Sequence, residues 1–87
     1  MLGLVIEFVA TMIFTMLVSL TGGEAMKVGI GLAAMVVLGS AFGVGHVNPA
    51  VSVSQFLGGK LTLVRLLSLV AMQMGGAVAG HFLLALK

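Results

Sequence analysis

Gly45-His46-Val47-Asn48-Pro49-Ala50-Val51-Ser52-Val53-Ser54-Gln55-Phe56-Leu57-Gly58-Gly59 is apolar enough for a membrane interior and too short to cross one. Asn48 suits a helix N-cap, because its side-chain oxygen can accept an N–H that the first turn leaves unpaired. Pro49 suits the first helical position, where its missing N–H would have no partner anyway. Gly58-Gly59 is a natural C-terminal stop. The spacing predicts a helix over about 49–58, roughly 15 Å long and about half the hydrocarbon thickness. It reads as a re-entrant half-helix that starts near the midplane. The competing reading, a surface turn between two soluble helices, fits poorly with apolar sequence on both sides. Irregular backbone at membrane depth is tolerated where protein buries it or water solvates it, so the backbone from Val44 to Asn48 is expected to line a cavity.

Working outward, residues 1–20 are apolar apart from Glu7 and a few hydroxyls and stop at Thr21-Gly22-Gly23-Glu24, a turn signal. With no basic stretch before this run and no small-residue cleavage pattern after it, a span is preferred to a signal peptide. A second span is expected over 28–44, with Gly39 and Gly43 as a GxxxG pair for close packing. Thr62 can cap a third, over 62–86, with Gly76 and Gly80 as a second such pair. The expected fold is an all-α membrane protein with three transmembrane helices and one re-entrant half-helix, forming a single unit over 1–87.

Composition agrees. Of 87 residues, 61% are hydrophobic and 7% charged, with a mean hydropathy of +1.34, far beyond what a soluble core requires. Without cysteine there are no disulfides, thiolate metal sites or thiol nucleophiles. The net charge of +2 is too thinly spread for a nucleic-acid footprint, so lipid is the expected surrounding partner. No nucleophile-and-base pair, phosphate loop or dinucleotide fingerprint occurs, and neither an enzyme nor a cofactor is expected. His46, His81 and Glu7 fall on separate segments without ligand spacing, so no metal site is expected. The seven methionines are read as adaptable core filler.

Glu7, Thr11, Thr15 and Ser19 recur every four residues and give the first span one polar face, which is expected to look into protein. A carboxylate in a span is costly unless paired or protonated. Glu7 has two readings: it accepts N–H bonds from irregular backbone, or it carries a transported proton. Gln73, in the middle of its span, could join the first arrangement as an amide bridge.

These residues resemble the aquaporin and aquaglyceroporin family, specifically its first repeat. Glu7-Phe8-Val9-Ala10-Thr11 is similar to the signature of the family's first span, Gly45 to Ser52 to its Asn-Pro-Ala loop, and Gln73-Met74-Gly75-Gly76-Ala77 to its third span. Members carry two such repeats, inverted relative to each other, whereas this chain resembles one. The resemblance implies that two half-helices meet at the midplane, with Asn48 donating to the passing solute. Pro49 and Ala50 complete the motif, and the carbonyls of Val44, Gly45, His46 and Val47 would form an acceptor ladder. It also implies that Glu7 and Gln73 brace the loop. Two departures bear on selectivity: Val51 follows Asn-Pro-Ala where the family's second repeat has an Arg, and the filter aromatic of the second span falls at Val28. The usual Ser-Gly-Ala before the His is replaced by Gly43-Val44-Gly45.

The expected function is passive conduction of water or small neutral solutes such as glycerol. The pore would be completed by antiparallel association of chains, a homodimer as the minimum unit or a higher oligomer such as a tetramer of dimers, in the cell (inner) membrane. The rivals are a dual-topology proton-coupled exporter using Glu7, and a structural or lesion-forming membrane protein; neither needs the half-helix. With three spans, Lys60 and Arg65 share one side and Lys27 and Lys87 the other. This tie leaves orientation undecided, so insertion both ways round is expected.

Overall fold

The computed structural model describes residues 1–86 and contains four helices: α1 (Leu2–Leu20), α2 (Ala25–Ser40), α3 (Pro49–Leu57) and α4 (Leu63–Ala85). Lys87, counted in the charge balance above, lies outside the described residues. The all-helical architecture is compatible with a membrane fold, and α1 and α4 are long and apolar enough to cross.

The second helix differs from expectation. It begins at Ala25 because the Glu24 side chain accepts from the N–H groups of Met26 and Lys27, each at 3.0 Å. It ends at Ser40, and the chain turns through Gly43 at φ 74°. There Val44 N–H donates to the Gly39 carbonyl (2.9 Å) and Gly43 N–H to that of Ser40 (3.2 Å), the paired closure that favours glycine at the left-handed position. At 16 residues, α2 reaches about 24 Å against a hydrocarbon core of about 30 Å. Gly43 is therefore a helix stop and not the second half of a helical GxxxG pair.

Small residues set the packing. A Cβ on Gly76 would strike the Phe8 carbonyl, and one on Gly80 would lie 3.0 Å from both the Met12 carbonyl and Met16 Cγ, so α1 and α4 run side by side in one direction. Gly31 lies against Leu17, while Phe42 and Val44 lie against Gly3, so α2 runs back along α1. Past the turn, Gly45 packs directly on Gly39, and a Cβ there would be 2.9 Å from the Val36 carbonyl. The chain thus folds back beside the last turns of α2. The third helix returns against α4 and packs on no other helix among the described residues.

The core is polar where a soluble core would be apolar. Glu7, Ser52, Gln73 and Leu69 are the largest fully buried side chains, whereas Val37 is 69% and Leu67 60% exposed. This inversion matches an apolar surrounding solvent, in which buried polar groups need partners within the protein. The methionines meet the expectation only in part: none of the seven is fully buried, although Met16 packs against Gly80 where α1 meets α4.

Candidate functional site: a braced loop and its half-helix

Asn48 adopts extended backbone, and its Oδ1 accepts the Ala50 N–H at 2.8 Å, with Pro49 opening the helix behind it. Tying down the oxygen leaves the amide NH2 as the outer end of an exposed side chain. The orientation that caps the helix therefore also presents donors at the helix's positive end.

The preceding loop is held from inside. Glu7 is 0% exposed. Its Oε2 accepts the Gly45 N–H at 2.9 Å, and its Oε1 accepts from the Val47 N–H and, at 3.1 Å, from Gln73 Nε2. Val47 is buried at φ 59°, a region that β-branched residues adopt only when their surroundings impose it. Two amides turned inward at alternate positions direct the intervening carbonyls elsewhere, away from the carboxylate.

Gln73 spends its second amide hydrogen on Ser52 Oγ, at 2.8 Å. That hydroxyl also lies 2.8 Å from His46 Nδ1. Ser52 Oγ accepts from Gln73 and pairs with His46 Nδ1, a hydroxyl having both a hydrogen to give and a second lone pair to receive. One connected network thus joins α1, α4, the loop and the half-helix. Among the described residues, Gln73 Oε1 in this network and Thr11 Oγ1 on α1 are buried without a hydrogen-bond partner.

The structure brings together Glu7, Gln73, Gly45, His46 and Val47. Ser52, not singled out from sequence, is the hub between them; α3 also carries Ser54 and Gln55, so the sequence alone does not tell which polar side chain turns inward. Of the polar face on α1, Glu7 and Thr11 point inward, Thr15 bonds its own helix carbonyls at 2.9 and 3.1 Å, and Ser19 is exposed. Val28 and Val51 are not brought together, because they lie in the first turns of α2 and α3, which do not pack on each other. His81 is exposed, with its ring edge-to-face against Phe82 (centroids 5.2 Å apart). Among the described residues no three His, Cys, Asp or Glu side chains gather as a metal site would require.

Sequence comparison gives this arrangement a family resemblance. Aquaporin-5 of Mus musculus and Aquaporin-5 of Rattus norvegicus are each 33% identical to this chain over 88 residues, covering 85% of the chain and 32% of each relative. The chain thus spans about a third of the length of the curated relatives it matches. No family model matches, and no solved structure matches. The likeness supports a resemblance to the aquaporins.

Proposed function

We propose that the chain forms one half of a passive channel for water and small neutral solutes. On this reading α1, α2 and α4 cross the membrane, the α2 span being completed by its closing turn. The loop and α3 enter and leave on one side, and an inverted second half completes the pore. Asn48 donates to the solute oxygen, the carbonyls of Val44 to Val47 accept from its hydrogens, and Val51 of one half with Val28 of the other, which do not meet within one chain, line a wide apolar mouth. A file of water whose oxygens accept from two Asn48 amides passes protons poorly, and the paired helix ends oppose cations.

The observation that carries the proposal is that the helix capped by Asn48 follows directly on a loop whose Gly45 and Val47 N–H groups are held by buried Glu7. We assign the second half to another copy of the chain, because the Lys/Arg balance lets both orientations insert. The proton-coupled alternative gains nothing from the geometry, since both Glu7 oxygens are engaged in holding the loop. Osmotic shrinkage of proteoliposomes under water and then glycerol gradients tests the function, and labelling of a C-terminal tag from both faces tests the pairing. Rates above those of empty vesicles for both solutes, and a tag reached from both faces, are expected.

A further inference from the structure

The chain has two carboxylates, Glu7 and Glu24, and both are committed. Glu7 is enclosed by the loop amides and Gln73, and Glu24 caps α2 at the opposite end of the bundle. The end where α1 begins, α2 finishes and α4 begins therefore has no acid to set against Lys60 and Arg65.

Of the two cations, Arg65 is the one built into the structure. It is half-buried and stands in the first turn of α4, which contains no acidic residue and whose positive end disfavours a cation. Its side chain reaches across to the start of the loop. A Cβ on Gly3 would sit 3.6 Å from Arg65 Nη2, 3.3 Å from the Phe42 carbonyl oxygen and 3.2 Å from Val44 Cγ1. The absent side chain at Gly3 thus leaves the space in which the guanidinium, the carbonyl-rich closure of α2 and the first residue of the braced loop converge. Lys60, on the exposed turn after α3, has no such place.

A run of backbone carbonyls attracts cations as well as water hydrogens. A fixed positive charge at the start of that run opposes the attraction, and the guanidinium keeps its charge at any working pH. We propose that Arg65 is a specificity-determining residue: its guanidinium, which flanks the space at Gly3 together with the Phe42 carbonyl and Val44, excludes cations from the loop's mouth. The inference rests on the channel reading above. It places a fixed charge at the mouth of a path that has Val51 after its Asn-Pro-Ala.

Proteoliposomes with wild type, Arg65→Gln or Arg65→Lys test it, with potassium efflux and osmotic water flux read on the same vesicles and corrected for incorporated protein. The potassium-to-water permeability ratio is expected to rise about tenfold in Arg65→Gln, the scale for removing a unit charge several ångströms from the path at intermediate dielectric. In Arg65→Lys it stays near the wild-type value. If Arg65→Gln fails to insert, the wild type decides: raising ionic strength with an impermeant salt should increase the ratio by screening the charge. A ratio unmoved by Arg65→Gln, or by salt where that variant does not insert, overturns the inference and leaves the channel standing. Wild-type water flux no faster than that of empty vesicles overturns the channel reading and the inference together.

Discussion

The Glu7 carboxylate accepts the N–H of Val47, a β-branched residue held at φ 59°. An N–H of a strained loop residue is thereby fixed to a carboxylate on a helix 40 positions away in sequence. The strain at Val47 persists because the same carboxylate also holds Gly45 and is itself held by Gln73. Loop conformation is therefore a property of the bundle, and perturbing Glu7 should be felt at Asn48.

Glu7→Gln is expected to be tolerated better than Glu7→Leu. The amide keeps one acceptor oxygen for the three donors, although its NH2 must turn away from one loop amide. Leucine strands all of them, at about 1–3 kcal/mol for each buried unsatisfied group. Thermal unfolding in detergent should rank wild type above Gln and Gln above Leu; equal stability for Gln and Leu contradicts the bracing geometry.

Ser52→Ala removes the shared partner of Gln73 and His46 while fitting the helix. A loss of roughly 1–3 kcal/mol is expected from the Gln73 N–H left unpaired, measurable by the same unfolding assay. Ser52→Thr, which keeps the hydroxyl, should lose less; an Ala variant as stable as wild type removes Ser52 from the network.

Glycine substitutions separate close packing from helix propensity. Gly39→Ala and Gly76→Ala put a methyl into the backbone of Gly45 and Phe8 respectively and should destabilise. Gly29 has nothing within 4 Å of its would-be Cβ, so Gly29→Ala should stabilise α2 by about 0.5–1 kcal/mol. Stability that rises in all three would contradict the helix contacts described.

Selectivity should follow Val51. Val51→Arg adds a charge and donors to the apolar mouth, so glycerol permeability should fall more than water permeability. Stopped-flow shrinkage in paired water and glycerol gradients reads the ratio, and an unchanged ratio moves Val51 away from the path.

Much of the half-helix was legible in sequence because capping is local chemistry: Asn48, Pro49 and Gly58 sit where one-turn rules place them. The ends of α2 were not, since Glu24 looked like part of a turn and became a cap, while Gly43 looked like a packing residue and became a stop. The site was legible at Glu7 and Gln73, polar groups conspicuous in apolar helices. Ser52 was hidden because a serine among Val-Ser-Val-Ser carries no sign of which hydroxyl points inward until α3 is docked on α4. Arg65 was hidden for a similar reason: the gap it reaches is made by Gly3, 62 positions earlier in the chain.

Asn48→Asp separates the two jobs of the loop's central side chain, and osmotic shrinkage of proteoliposomes with this variant tests the central claim most directly. The aspartate keeps an oxygen for the Ala50 N–H and so keeps the cap, whose loss to alanine would cost about 0.5–2 kcal/mol. It removes the amide donors that face the solute. The account predicts that wild type shrinks faster than empty vesicles, and that well-inserted Asn48→Asp loses most of that advantage while admitting cations. Wild-type vesicles indistinguishable from empty ones, or an Asn48→Asp variant with undiminished water flux and no cation leak, would contradict it.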